Sequence, residues 1–167
     1  LLQLDVTDPD NETLIYELFD APSGMSINNT GEISWFPELT GYYPDILIRV
    51  SDEEFSIEQI FDIDIRYLQN FNFHEGNNLI SLYSIPPEDQ SVEFVFDSLG
   101  DNVTHIIGES QLALHLPNGN WAGSLNTLTA DKGYWLRLNE NAQLPVYGLP
   151  SEDVEYIIHE GANLISY

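Results

Sequence analysis

An eight-residue stretch that occurs twice constrains this sequence more than any other feature. Residues 74–81 read His-Glu-Gly-Asn-Asn-Leu-Ile-Ser and residues 159–166 read His-Glu-Gly-Ala-Asn-Leu-Ile-Ser, so seven of eight positions are identical. The copies begin 85 residues apart, at 74 and at 159, which is the length of a small domain. We therefore expect a piece of a tandem array in which the second copy is the first strand of a further repeat.

The repeat divides the 167 residues into modules. We predict a first module over residues 1–67, a second over 70–150, and the first strand of another repeat over 151–167. The joint between the first two modules has no Gly/Ser-rich run, so we expect it to be short and stiff. The chain starts at Leu1 in the middle of a strand-like alternation, so we expect its beginning to be cut from a longer chain as well.

Charge excludes some classes of function. The chain has 4 Lys+Arg and 28 Asp+Glu, a formal net charge of −24. A polyanionic surface repels the phosphate backbone, so we expect no nucleic-acid partner. No apolar run approaches the roughly 20 residues of a membrane helix, so we expect no membrane insertion here. The chain has no Cys, which excludes disulfides and thiolate chemistry.

The sequence carries none of the common catalytic motifs. It has no nucleophile elbow around a serine, no Gly-rich phosphate loop after a strand, and no histidine pair at metal-hydrolase spacing. Pairs of carboxylates carry no information in a chain with 28 acids. We therefore expect a protein that is not an enzyme.

The first module alternates apolar and polar residues with the period of a half-buried antiparallel strand. Turn clusters rich in Asp, Asn, Pro and Gly separate the alternating runs, which is typical of a mainly β sandwich. The clearest runs are Leu2, Leu4, Val6; Leu14, Tyr16, Leu18; Ile46, Ile48, Val50; and Phe61, Ile63, Ile65, Tyr67.

This module resembles the bacterial cadherin-like, immunoglobulin-like repeats related to the dystroglycan type. The resemblance implies a seven-strand β-sandwich, of which this chain carries six strands and lacks the first. An absent edge strand leaves backbone groups and apolar surface open, so a neighbouring segment or subunit is expected to fill the position. The stretches that carry the resemblance are residues 8–18, 21–27, 30–35, 41–43 and 49–52.

The same resemblance implies a calcium site. Asp8 and Asp10 form the Asp-x-Asp pair that supplies oxygens at one pole of such domains, and Asp52 stands on a loop that reaches the same pole. Ca²⁺ takes about 6 to 8 hard oxygen ligands, so these carboxylates would supply part of its shell. In the alternative interpretation these residues only start turns, because Asp and Asn side chains cap local backbone.

In the second module the spacing of apolar residues changes once from the strand period to the helix period. Residues 92, 95, 96 and 99 are apolar at helical spacing after an acidic stretch, and Gly100 follows, which predicts one helix of about two to three turns. Strands are predicted around it, giving a small β-rich domain with one short helix, and Leu125 with Leu128 is predicted to form a helical turn or an apolar plug. The predicted strands are residues 74–81, 103–107, 111–116, 133–138 and 142–147.

The second module is similar to a small repeat found in tandem in secreted, multidomain surface proteins of bacteria and archaea. The similarity rests on Asn-Leu-Ile-Ser at residues 78–81, Trp-Ala-Gly-Ser-Leu at 121–125 and Gly-Tyr-Trp at 133–135. It departs from the usual Gly-Trp before the Asn-Leu-Ile, because Asn77 and Ala162 stand at the aromatic position. The similarity implies an extracellular or cell-surface location and a modular chain, and it implies no enzymatic activity.

Aromatic residues allow a ligand-binding interpretation. Trp121, Tyr134 and Trp135 would suit a platform on which sugar rings stack. Tyr134 and Trp135 fall on opposite faces of one strand, so at least one of them is expected in the core. Four His residues lack ligand spacing, and we expect all four to be structural.

Two function classes remain. The first is a structural repeat of an extracellular fibre, filament or cell-surface protein, assembled head to tail by strand addition and stiffened by calcium, with neighbouring modules or copies of the same chain as partners. The second is an adhesin or accessory module that binds a carbohydrate or a surface protein. For strand addition the alternative is that the parent chain simply continues in both directions.

Overall fold

A computed structural model describes residues 1–9, 13–52, 54–151 and 154–166. The chain is mainly β and forms several antiparallel sheets with one short α-helix among the residues described, which confirms the predicted β-rich class. It divides into two units, Leu1–Ile65 and Arg66–Tyr167. None of the helices described is long and apolar enough to cross a membrane.

The first unit contains six strands in the part of the chain described. They form two three-stranded antiparallel sheets, one ordered β1-β4-β3 and the other β2-β5-β6. The bounds are β1 Leu2–Gln3, β2 Ile15–Phe19, β3 Ser26–Ile27, β4 Glu32–Ser34, β5 Gly41–Ser51 and β6 Ser56–Ile65.

The core of the first unit lies between its two sheets. Ile33 of β4 is buried with Ile48 and Val50 of β5, and partly buried side chains from both sheets surround them. The predicted alternation is seen in burial: the odd positions of β6 from Phe61 to Ile65 are half-buried and the positions between them are exposed. The period-two alternation therefore predicted correctly which face of this strand is turned toward the core.

A bulge in β5 is fixed by one carboxylate of β6. The pairing of β5 with β6 shifts register between Tyr43 and Ile46, and Asp45 within the bulge has a φ of 58°. Asp62 of β6 accepts the Asp45 N–H at 2.9 Å and the Tyr42 hydroxyl at 2.5 Å. The bonds from Tyr42 and from the Asp45 N–H lower the pKa of Asp62, and the same carboxylate raises the pKa of Tyr42.

The second unit contains eight strands, again within the described residues. One sheet is ordered β12-β11-β10-β13-β8 and the other β7-β14-β9. The bounds are β7 Tyr67–Phe73, β8 Gly76–Ser81, β9 Ser84–Ile85, β10 Val103–Gly108, β11 Gln111–His115, β12 Trp121–Gly123, β13 Gly133–Leu138 and β14 Ala142–Pro150.

The predicted helix is present and packs its apolar stripe on the core. Helix α1 spans Val92–Phe96 and continues as a 3₁₀ helix over Asp97–Asn102. The Ser91 side chain caps its start by accepting the Phe94 N–H, and Gly100 kinks the 3₁₀ segment with a φ of 49°. The four residues at helical spacing, Val92, Val95, Phe96 and Leu99, are all buried.

Leu125 and Leu128 form the apolar plug rather than a helical turn. Both are buried in the core of the second unit, and residues 124–129 contain no helix. The Leu128 N–H donates to Gln90 O at 2.9 Å, and the Leu125 N–H donates to Leu112 O at 3.0 Å. The loop is thus held by backbone bonds at two points, and its two leucines pack in the core.

Two predicted strands differ from the structure. The alternation that ran from Phe61 to Tyr67 is interrupted, because β6 ends at Ile65 and Tyr67 begins β7 of the second unit. The predicted strand at residues 151–167 is not formed by the described residues 154–166, which make only an isolated bridge between Ile165 and Lys132. Those residues belong to the second unit.

Candidate functional site

The predicted calcium ligands lie at one end of the first unit. Asp8 and Asp52 line the same cavity, which measures about 130 Å³ and is also bounded by Leu14 and Phe55. Asp10, the third predicted ligand, lies outside the described residues. The structure therefore brings two of the three predicted carboxylates to one cavity, and the calcium site stays a prediction.

Asp52 also has the turn-forming role of the alternative interpretation. Its Oδ1 accepts the Phe55 N–H at 2.6 Å and the Glu54 N–H at 2.9 Å. The bond from Phe55 is the main reason that the pKa of Asp52 is lowered. Over residues 1–9, 13–52, 54–151 and 154–166, no group of three or more His, Asp or Glu side chains is arranged to hold a metal ion.

An open groove runs along β6 in the same unit. It measures about 210 Å³ and is lined by Leu4 and Val6 on one side and by Ile48, Val50 and Ile57 on the other. Ile57 is opposite Val50 on the core side of β6, yet it is 64% exposed. No strand pairs with the outer edge of β6 among the residues described, so the seam between the two sheets stays open there.

The first copy of the repeat folds into a loop held by one asparagine. Asn78 Oδ1 accepts the His74 N–H at 3.1 Å, and Asn78 Nδ2 donates to His74 O at 2.9 Å and to Gly76 O at 3.3 Å. The ring Nδ1 of His74 is 2.6 Å from Glu75 O. Gly76 has a φ of 94°, a conformation that other residues rarely adopt.

The second copy forms the same loop with the same bonds. Asn163 Oδ1 accepts the His159 N–H at 2.9 Å, and Asn163 Nδ2 donates to His159 O at 2.9 Å and to Gly161 O at 3.1 Å. His159 Nδ1 is 2.9 Å from Glu160 O, and Gly161 has a φ of 103°. Three of the seven identical positions, the His, the Gly and the Asn at 78 and 163, therefore make the bonds or the positive φ that define the loop.

The two copies have different surroundings but contact the same strand. β8, from the first copy, pairs with β13 along its whole length, from Gly133 opposite Ser81 to Leu138 opposite Gly76. The second copy binds the start of that strand: the Gly133 N–H donates to Leu164 O at 3.0 Å. A Cβ at position 133 would lie 3.0 Å from Ile165 O, a tight contact that the second copy would have to relieve by a few tenths of an ångström.

One more backbone bond and several side chains add to this contact of the second copy. The Ser166 N–H donates to the backbone oxygen of Asp131 at 3.1 Å, and the Ser166 hydroxyl is 3.0 Å from the Tyr156 hydroxyl. His159 Nε2 is hydrogen-bonded to Glu109. The bond from the ring to Glu160 O, followed by the Glu109 carboxylate, raises the pKa of His159. Sequence analysis missed this contact, because nothing in the repeat itself specifies Glu109 or Gly133.

The predicted aromatic platform is divided by the fold. Tyr134 is fully buried and its hydroxyl accepts the Thr129 N–H at 2.8 Å, whereas Trp135 is 42% exposed. Trp121 is half-buried beside the core, with its ring centroid 4.9 Å from that of His115. The three side chains do not share a face, so the expectation that one aromatic set packs in the core is confirmed.

Comparison of the chain with protein-family models, with curated proteins and with solved structures finds no match. The cadherin-like and surface-repeat resemblances therefore remain interpretations of the sequence.

The asparagine loop predicts the effect of Asn78→Asp. An aspartate cannot donate to the two carbonyl oxygens, so the free energy of unfolding should fall by about 1–3 kcal/mol, as measured by urea denaturation. Asn77→Asp is the matched control, because Asn77 Oδ1 only accepts from Arg137, at 3.3 Å, and aspartate keeps an acceptor. An equal loss in both variants would contradict the role of the Asn78 amide.

The His159 contact predicts that the attachment of the second copy to β13 becomes less stable as pH rises. The pKa of His159 is raised in the folded chain. The stabilisation it provides should be complete below the unfolded value of about 6.5 and should be lost as pH rises through the raised folded value. The Gly133 amide resonance in NMR spectra should report this loss. Glu109→Gln should weaken this pH dependence, and the control Glu155→Gln should leave it unchanged. If the Gly133 resonance does not change with pH in the parent chain, the proposed role of the His159 contact is wrong.

Proposed function

We propose that this chain is a structural, non-enzymatic repeat of an extracellular fibre, filament or cell-surface protein, whose copies associate head to tail by strand addition. The support comes from the first unit's open seam, from the loop that the sequence forms twice, and from the two sequence resemblances. The partner is another copy of the same chain or a neighbouring module.

The observation that carries the proposal is the exposure of Ile57. An isoleucine on the core side of a strand is normally covered, because burying such a side chain contributes about 1.5–3 kcal/mol. Here it lines a groove with Leu4, Val6 and Val50, beside an edge of β6 that no described strand pairs. An extended segment in the groove would supply both the missing backbone partners and an apolar cover.

The segment that fits this description is residues 154–166 of another copy. Residues 157 and 158 are isoleucines, 88% and 67% exposed, so the segment keeps apolar side chains available while it is seated on its own unit. Transfer to a neighbouring copy would break the isolated bridge and the contacts with Asp131, Gly133 and Glu109, and would form a strand ladder in their place. Because donor and acceptor are different surfaces, such transfer would be heterologous and open-ended, as a filament requires.

Calcium is the second part of the proposal. The cavity that contains Asp8 and Asp52 shares Val6, Val50 and Ile57 with the groove, so metal and strand would bind side by side. A cation there would offset the repulsion of carboxylates in a chain of charge −24.

A second candidate function is an adhesin or accessory module that binds a carbohydrate or a surface protein. The observation in its favour is Trp135, which is 42% exposed on an open sheet. Aromatic faces of this kind suit sugar rings. Chemical-shift changes at the Trp135 indole on addition of oligosaccharides, with no association of the chain, would favour this candidate.

The first test of the proposal is sedimentation velocity over a range of concentrations. The parent chain should form oligomers that grow beyond the dimer, and Ile57→Glu should reduce it to smaller species, because a carboxylate would be buried under the added strand. Ile60→Glu is the matched control, since Ile60 is 60% exposed on the opposite face of the same strand. A parent chain that stays monomeric at high concentration would exclude strand addition.

The second test is thermal unfolding with excess Ca²⁺ and with a chelator. A ligand that binds only the folded state raises the melting temperature by mass action, so we expect an increase of several degrees with Ca²⁺. Asp8→Asn should abolish this increase, and Glu38→Gln, at an exposed carboxylate away from the cavity, should retain it. The same melting temperature with Ca²⁺ and with chelator would leave Asp8 and Asp52 as turn residues only.

A further inference from the structure

Arg137 is exposed on the outer face of the five-stranded sheet of the second unit and has no carboxylate partner among the described residues. The other two arginines of the chain are paired with glutamates, at 2.8 Å for Arg49 and at 2.7 Å for Arg66. The Arg137 side chain donates only to Asn77 Oδ1, at 3.3 Å. In a chain with 28 acids, an exposed arginine that pairs with none of the described ones is a cation available to a ligand.

Trp135 stands beside Arg137 on the same face. The two residues are two positions apart in β13, so at a rise of about 3.3 Å per residue their Cα atoms lie about 6.6 Å apart. Tyr134, Leu136 and Leu138 of the same strand are buried, so alternation directs Trp135 and Arg137 outward. Trp135 is 42% exposed and places an aromatic ring system next to the cation.

Cross-strand pairing surrounds these two side chains with groups that suit a sugar. Arg137 is paired with Asn77 of β8 on one side and with His105 of β10 on the other. Directly paired residues project from the same face of a sheet, so an amide and an imidazole flank the guanidinium. Trp135 is flanked in the same way by aliphatic side chains of β8 and β10. A row of polar donors therefore lies beside an apolar row that contains the tryptophan.

The other sheet of this unit differs in charge. Strands β7, β9 and β14 contain no Asp or Glu, as in the five-stranded sheet, and Tyr147 of β14 is exposed. The same three strands contain no Lys or Arg either. Both sheets thus present an exposed aromatic side chain, but the five-stranded sheet alone sets an arginine beside it.

We propose that this face binds an acidic oligosaccharide, with the carboxylate of a uronic acid on Arg137 and a sugar ring stacked on Trp135. A guanidinium pairs with a carboxylate through two parallel N–H donors, and an aromatic face suits the C–H surface of a sugar. Asn77 and His105 lie on either side to hydrogen-bond hydroxyl groups. The inference rests on the carbohydrate-binding candidate function above and names its ligand class, and it is independent of strand addition at the first unit.

The net charge of −24 opposes an anionic ligand at long range, and salt removes most of that opposition. At an ionic strength of about 0.15 M the Debye length is about 8 Å, so distant acids are screened while an ion pair in direct contact is retained. The five strands of this sheet contain no Asp or Glu. We expect a millimolar dissociation constant for one chain, because an open face buries little of the ligand, and tighter binding by arrays of copies.

Titration with a short oligogalacturonide tests the proposal, followed by the NMR resonances of the Trp135 indole and the Asn77 amide. The fully methyl-esterified oligomer is the matched ligand, because it keeps the sugar rings and loses the carboxylates. A chelator is present, so that calcium does not bridge ligand and protein carboxylates. At about 0.15 M salt, we expect the acid form to shift both resonances and to bind at least about tenfold more tightly than the ester.

Variants assign the effect to the two side chains. Arg137→Gln should reduce the affinity for the acid form to that for the ester, and Arg137→Lys should restore part of it, because lysine keeps the charge and loses the bidentate geometry. Trp135→Leu should weaken the binding of both ligands. Tyr147→Leu, on the other sheet, is the matched control and should leave both affinities unchanged.

The outcomes separate this inference from the functions on which it depends. Equal binding of acid and ester at Trp135 would overturn the acidic ligand class and keep the carbohydrate-binding candidate. No shift with either ligand would overturn both. An affinity for the acid form that Arg137→Gln leaves unchanged, or that Tyr147→Leu lowers as much as Arg137→Gln does, would also overturn the proposal. Strand addition is measured separately, by sedimentation of the parent chain without ligand.

Discussion

Repulsion among 28 carboxylates is the constraint on which the rest of the structure depends. In the second unit the described strands contain no Asp or Glu, and the described acids lie in the loops and the helical segments, where water screens them. The first unit meets it by pairing. Arg49 lies 2.8 Å from Glu58 and 3.8 Å from Glu17 across β5, and Asp62 accepts two hydrogen bonds at the bulge.

The two ways of arranging the carboxylates leave different apolar surfaces in the two units. In the first unit, the acids occupy the outer face of β6, and the apolar opening is at the seam between the sheets. In the second unit, the five strands of the larger sheet contain no Asp or Glu. A strand added along β6 would meet the first unit at its apolar seam, without bringing carboxylates together.

Local sequence was enough to predict what depends on local interactions. The loop of the repeat forms twice because one asparagine amide and one glycine with positive φ specify it, whatever surrounds it. The helix at Val92 and the strand Gly133–Leu138 were predictable for the same reason, since their apolar spacing matches the helix and strand periods. The inward face of each strand followed from alternation alone.

What could not be predicted depends on contacts distant in sequence. Residues 154–166 were predicted as a strand, but the described residues form a single bridge, because they are held by the Glu109 side chain and by backbone groups of Asp131 and Gly133. Tyr67 continues the period of β6, yet it pairs with Gly148 of β14. Periodicity indicates which face of a strand is buried, but it does not determine which strand it pairs with.

The candidate calcium cavity and the groove of β6 share three apolar side chains, and that adjacency couples the two parts of the proposed function. A strand laid over Ile57 would exclude water from the neighbourhood of Asp8 and Asp52, and lower local polarity strengthens the attraction between a cation and its carboxylates. By linkage, a bound cation would then favour the added strand by the same factor. Association of copies and binding of calcium would therefore be coupled, and each would strengthen the other.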